Sequence, residues 1–187
     1  MEQLKTGMLL YHGSYADFTA IDLSKCKEGK DFGRGFYVTS SLNQAARFVS
    51  NAVIRAKKEN LIPQNSSSGY VIVFRLENIS DINTYIFENA DPDWLHFVAS
   101  NRREQLFPEI NKKFNECDII GGKIANDRTA STLQLYTSGA FGIPGTSKAD
   151  SIAISTLLPE RLCDQFCFKS EKSVSRLSFI RSIEYGI

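Results

Sequence analysis

Phe32-Gly33-Arg34-Gly35-Phe36-Tyr37-Val38-Thr39 is the stretch on which the fold of this 187-residue chain turns. Aromatic and β-branched residues punctuated by two glycines read as a strand whose backbone another group can approach closely. Upstream, Leu9-Leu10-Tyr11-His12-Gly13-Ser14 is a short apolar run closed by glycine, which predicts a strand delivering a histidine into a turn. Downstream, Ser40 or Ser41 caps a helix in which Leu42, Ala45, Ala46, Val49, Val53 and Ala56 recur at helical spacing. Strand, glycine-rich strand and amphipathic helix thus follow one another within the first 60 residues.

Further along, Pro63 to Gly69 is a polar loop, and Tyr70-Val71-Ile72-Val73-Phe74-Arg75-Leu76 is continuously apolar and β-branched, as a buried strand requires. Asp91-Pro92-Asp93 starts a helix with an Asp cap and proline at its first position, carrying Trp94, Phe97, Val98 and Asn101 on one side. Cys117 to Gly122 reads as a strand into a glycine turn, Asp127 to Tyr136 and Ser151 to Leu158 as helices, and Gln165 to Phe168 and Leu177 to Ile180 as closing strands. Short strands interleaved irregularly with three or four helices predict an α+β fold. No Gly-x-Gly-x-x-Gly lies between a strand and a helix, which argues against a Rossmann dinucleotide site.

The length suits a single domain over residues 1–187. Hydrophobic residues make up 42% and charged residues 23%, ordinary globular usage. The net charge of +1 comes from 22 basic and 21 acidic residues that are interspersed, so no field gathers nucleic acid or anionic lipid. No apolar run spans a bilayer and Met1 to Lys5 lacks the core of a secretory signal, which predicts a cytoplasmic protein, or an effector exported without such a signal. Cys26, Cys117, Cys163 and Cys167 form no recognised zinc spacing and read as reduced thiols; His96, beside Trp94 and Phe97, is given no functional role.

Read together, Tyr11-His12-Gly13-Ser14, Gly33-Arg34-Gly35-Phe36-Tyr37 and Ala45-Ala46-Arg47-Phe48 resemble the ADP-ribosyltransferase superfamily, in the histidine–tyrosine–glutamate branch of poly-ADP-ribose polymerases and diphtheria-type toxins. The chain is similar also to an uncharacterised bacterial branch sharing Tyr-His-Gly-Ser, Lys-Asp-Phe-Gly-x-Gly-Phe-Tyr-x-Thr and Gly-x-x-Ala-Asn-Asp, the last standing here as Gly122-Lys123-Ile124-Ala125-Asn126-Asp127. The resemblance implies split β-sheets with flanking helices, NAD as co-substrate and no metal. It implies that Gly13, with Ser14 beside it, meets the nicotinamide carboxamide, that His12 bonds an adenosine ribose hydroxyl, and that Tyr37 and Phe48 wall the nicotinamide ring. The family's carboxamide-holding hydroxyl stands here as Ala45, and its tyrosine as Phe48. Asn126 is either a pocket-edge residue or, with Asp127, a helix cap, and Lys30, Arg34 and Arg128 are each open as pyrophosphate partners.

The chemistry so implied is cleavage of the nicotinamide–ribose bond through an oxocarbenium-like state. The family glutamate that grips the ribose corresponds to Gln165, unless Gln165 faces solvent and a carboxylate arrives from elsewhere. A neutral amide in that place costs about a tenfold rate loss by the difference between charged and neutral hydrogen bonds. The expected activity is mono-ADP-ribosylation of an unidentified acceptor, foremost a protein. A catalytically silent NAD- or ADP-ribose-binding module and an NAD glycohydrolase toxin are the alternatives, with an antitoxin or immunity protein as an open partner class.

Overall fold

The computed structural model describes residues 3–103, 106–123, 127–157 and 163–187. In chain order its elements are β1 (Leu9–Ser14), β2 (Phe36–Val38), α1 (Leu42–Lys58), β3 (Ser68–Leu76), β4 (Thr84–Ile86), α2 (Pro92–Arg102), α3 (Pro108–Lys113), β5 (Ile119–Lys123), α4 (Asp127–Thr137), α5 (Ser147–Leu157), β6 (Asp164–Phe168), α6 (Glu171–Val174) and β7 (Leu177–Gly186). The fold is α+β. One sheet has the order β1-β3-β7, all antiparallel, and the other β2-β6-β5-β4, with only the β4–β5 pair parallel.

Strand alternation sorts the side chains into layers. Leu10, Ile72 and Phe74 of the first sheet meet Phe36, Val38, Ile119, Phe166 and Phe168 of the second in one apolar cluster, so the two sheets pack face to face. The opposite face of the first sheet, with Tyr11 and Val71, is covered by Ala45, Val49 and Val53 of α1. The opposite face of the second sheet, with Tyr37, Ile120 and Cys167, receives Trp94, Leu95, Val98, Tyr136, Ala149 and Ala153 from α2, α4 and α5. The order is therefore α1, first sheet, second sheet, then α2 to α5, while Val174 of α6 joins the cluster between the sheets.

Local chemistry explains the two principal helices. Ser41 caps α1 by accepting from the Gln44 amide, the buried positions 45, 49, 53 and 56 form one stripe, and Arg55, Lys57 and Lys58 sit where the helix dipole favours cations. Asp91 caps α2 by accepting from the Trp94 amide at 2.9 Å, with Pro92 at the first position. No helix among the described residues is long and apolar enough to cross a membrane.

Three expectations are corrected. Only Phe36–Val38 of the 32–39 stretch is strand. Residues 31–35 turn instead, and Gly33 adopts φ +82°, a conformation that a side chain would strain. The helix expected from Ser151 starts at Ser147, and Gly121 and Gly122, expected as a turn, lie within β5; β4 and α3 were not anticipated. In β3–β7 the register shifts between Val73 and Phe74, so that Val73 faces Arg181 and Phe74 faces Phe179 with Ile180 bulged.

His96, assigned no role from the sequence, ties helices together. Its Nε2 lies 2.9 Å from Asp150 Oδ2, its ring stacks on Phe107 at 4.2 Å, and the buried Asp150 accepts the Tyr136 hydroxyl at 2.5 Å through Oδ1. Removing the shared carboxylate leaves the buried Tyr136 hydroxyl and the part-buried His96 ring without their acceptor. Asp150→Ala is expected to cost about 3 kcal/mol in urea unfolding, and Leu135→Ala on the exposed face of α4 less than about 0.5 kcal/mol.

Candidate functional site

The site forms where the two sheets touch at their edges. Tyr11 and Thr39 exchange both backbone hydrogen bonds, each at 2.9 Å, which joins β1 to the residue following β2. Because Tyr11 spends its N–H and C=O on that side, antiparallel alternation pairs Leu10, His12 and Ser14 with β3 by hydrogen bonds. The N–H and C=O of Gly13, a buried residue, then point to the same side as those of Tyr11, where no strand pairs with them. Gly13 thus offers one donor and one acceptor side by side, just beyond the seam.

His12 is fixed at the seam. Its ring stacks on Phe36 at 4.5 Å, meets Phe18 edge-on at 5.8 Å, and its Nδ1 lies 2.7 Å from the carbonyl oxygen of Tyr37. A carbonyl only accepts, so Nδ1 carries the proton and donates. Burial lowers the imidazole pKa more than this bond raises it. The ring is accordingly neutral at pH 7, and Nε2 is an acceptor.

Tyr37 leaves β2 on the other face, towards the helices, half-buried against that core. Its hydroxyl donates to Gly33 O at 2.6 Å and accepts from the Phe32 amide at 3.0 Å, which closes the glycine turn. Burial holds the phenol well above its ordinary pKa, so it stays protonated. His12 therefore meets the backbone of Tyr37 and not its ring. Cys167, the cross-strand partner of Tyr37, is a buried thiol pushed up to about 12 by burial, unsuited to nucleophilic work.

Gln165 is buried, which removes the solvent-facing alternative, and it shares the face of Cys167 and Tyr37 on β6. Its Nε2 donates to Asp31 Oδ2 at 2.8 Å. Asp31 Oδ1 in turn accepts from Arg102, Nε at 2.7 Å and Nη2 at 2.6 Å. Sequence reading quoted Asp31 within its motif but gave it no role, and it missed Arg102. With 70 residues between them, only the tertiary fold brings α2 to the turn before β2.

The other expected residues divide. Phe48 is 40% exposed on α1, not in the core, and its Cβ would lie 3.2 Å from a Cβ built on Gly13. Among the described residues, Phe48 and Tyr37 make no ring contact with each other. Ser14 is buried, and its hydroxyl accepts from the Ala16 amide at 3.0 Å, closing the turn after β1. Arg34 bonds the carbonyls of Leu23, Ser24 and Cys26, so it braces the 3-10 turn at Leu23–Lys25. Lys30 keeps a half-buried ammonium whose pKa is lowered by burial and then by Arg55 of α1, which places two cations near one another beside the site. Asn126 and the side chain of Arg128 lie outside the described residues.

The glycine at position 13 has a reason other than ligand approach. A Cβ there would lie 2.4 Å from Ala45 O, in the backbone of α1.

A sequence family described as "Protein of unknown function (DUF3990)" matches residues 8–179, from the start of β1 into β7. The chain belongs to the DUF3990 family. No curated protein matches it. In this DUF3990 protein the matched span contains the seam residues Tyr11, His12, Gly13 and Thr39, Phe48 on α1, and Asp31, Tyr37 and Gln165 on the helix side of the second sheet.

Two measurements test this geometry. Gly13→Ala forces a methyl group onto helix backbone that cannot rotate away, and is expected to cost about 1–3 kcal/mol in denaturant unfolding. The unfolded chain takes up a proton at His12 near its ordinary pKa of 6.5, whereas the folded chain resists it. Stability is therefore complete above about pH 6.5 and falls as the pH drops below it. His12→Asn should flatten that fall relative to wild type in unfolding curves at about pH 7 and about pH 5.

Proposed function

We propose that this DUF3990 protein binds NAD at the seam and transfers its ADP-ribose to an acceptor. The observation that carries the reading is the unpaired strand edge at Gly13. A carboxamide presents N–H and C=O in one plane, and the free peptide N–H and C=O of a single strand residue complement it. Neutral His12 adds an acceptor at Nε2 for a ribose hydroxyl, and the exposed ring of Phe48, next to Gly13, adds a face for the pyridine. Lys30 and Arg55 supply positive charge for a diphosphate. Two sheets meeting at one seam agree with the split-sheet arrangement that the resemblance to ADP-ribosyltransferases implies.

The reaction breaks the bond between the anomeric carbon and the pyridine nitrogen, which keeps the electron pair and leaves within neutral nicotinamide. The acceptor heteroatom gives a lone pair to the anomeric carbon and loses its proton. The residues of the chain contribute orientation and charge placement: Gly13 and Phe48 hold the leaving group, and His12 and Gln165 hold ribose hydroxyls. Because Gln165 is uncharged, binding of NAD without turnover is the second reading.

Incubating the full chain with NAD labelled in the adenosine half, with and without cell lysate, separates these outcomes. Transfer is expected to yield nicotinamide together with label on an acceptor, with turnover lowered at least about tenfold in His12→Ala. Free ADP-ribose as the only labelled product makes the protein a glycohydrolase. Calorimetric binding with no nicotinamide release makes it a binding module, and absence of both binding and release removes NAD from the site.

A further inference from the structure

A carboxylate sits directly behind the amide of Gln165, and it decides which end of that amide a ligand meets. Asp31 is 5% exposed; Oδ1 is occupied by Arg102 and Oδ2 accepts Gln165 Nε2 at 2.8 Å. A carboxylate only accepts, so the amide nitrogen must face it and Gln165 Oε1 must point away. Oε1 makes no hydrogen bond among the described residues, and it is not among the sealed, unpartnered side-chain atoms, which belong to Asn111 and Arg176. The amide is thus held by its donor end with its acceptor end presented.

We infer that Asp31 is a positioning residue: it locks Gln165 with Oε1 outward, so that a bound ribose hydroxyl donates to the amide instead of accepting from it. The inference rests on the NAD reading of the site and deepens it. The direction matters chemically. A hydroxyl that donates gains electron density on its oxygen, which favours positive charge on the neighbouring anomeric carbon, whereas a hydroxyl that accepts from an NH2 group loses density. The anionic charge absent from position 165 is held one side chain further back, and acts through the aligned amide dipole.

This arrangement makes an unusual prediction for the substitution that restores a glutamate. Gln165→Glu alone would set two carboxylates within hydrogen-bond distance, and one of them must retain a proton. In Asp31→Asn alone, Arg102 still requires an acceptor, which turns the NH2 group of the new side chain towards the Gln165 NH2 group and forces the Gln165 amide to flip. The double variant resolves both conflicts. The amide introduced at position 31 offers its oxygen to Arg102 and its nitrogen to the carboxylate introduced at position 165, which keeps a free oxygen for the ribose.

The test is this double-mutant cycle on the full chain, reading nicotinamide release and, by calorimetry, NAD affinity. Each single variant should lose about fivefold to tenfold in kcat with KM changed less than about twofold, and the double variant should return to wild-type turnover or above. A purely structural pair would give losses in the double variant at least as large as in either single one, and that outcome overturns the inference. If wild type binds NAD without turnover, the kinetic arm gives no signal and the ligand-free stability readout decides, an equal pH slope in both variants overturning the inference. If wild type binds no NAD, the site reading falls and the inference with it.

A readout without ligand checks the pair itself. Around it stand Arg102 on α2, Lys30 next to Asp31, Tyr37 on β2, Cys167 on β6 and the Lys123–Asp164 ion pair at the ends of β5 and β6. The proton-sharing carboxylate pair in Gln165→Glu has a raised folded pKa, so the stability of this variant relative to wild type should be greatest at about pH 5 and fall towards about pH 8. The double variant should show no such fall. An equal slope in both variants would mean that Asp31 does not face position 165.

Discussion

Two hydrogen bonds between Tyr11 and Thr39 govern the rest of this molecule. Each is an ordinary backbone bond worth about 1 kcal/mol net, but together they fix where one sheet stops and the other begins. By using both polar groups of Tyr11 they turn Gly13 outward, and by holding Thr39 they carry the Tyr37 carbonyl to the imidazole of His12. Two residues later Ser41 caps α1, so the same contact also sets the helix that lies over Gly13. Donor edge, histidine and helix are thus placed by one short β-bridge, with little room for one to move without the others.

Much of the architecture could be read from periodicity alone. The stripe in α1, the Asp91-Pro92 start of α2 and the unbroken apolar run in β3 each had a single physical interpretation, and each element stands where that interpretation put it. What escaped was either too short or too distant. β4 has three residues and gains its place by pairing with β5, not from any alternation of its own. The 31–35 segment mimics a strand in composition, but the positive φ of Gly33 and the hydroxyl of Tyr37 bend it into a turn.

The candidate site divided along the same line. His12 stood out locally because glycine follows a strand-borne polar residue, whereas Tyr37 entered the candidate site only through likeness. Gln165 was legible only through likeness, since a lone glutamine on an apolar strand carries no signal. Asp31 and Arg102 could not be found at all, because their meaning lies in a contact across the chain. Gly13 shows the reverse: the residue was singled out for ligand approach, yet the close neighbour it makes room for is helix backbone. A helix pressed that tightly on β1 also explains how Phe48 comes to lie beside the open strand edge while remaining exposed.

β7 has a further consequence. Among the described residues it is the outer strand of the first sheet, ten residues long, with its far side unpaired. Such a rim ordinarily invites self-stacking into fibrils. Here the bulge at Ile180 breaks the pitch that an incoming chain would have to match, and Arg181 and Glu184 put charge along the strand. The irregularity that costs β3 and β7 part of their ladder thereby works against edge-to-edge stacking at high concentration.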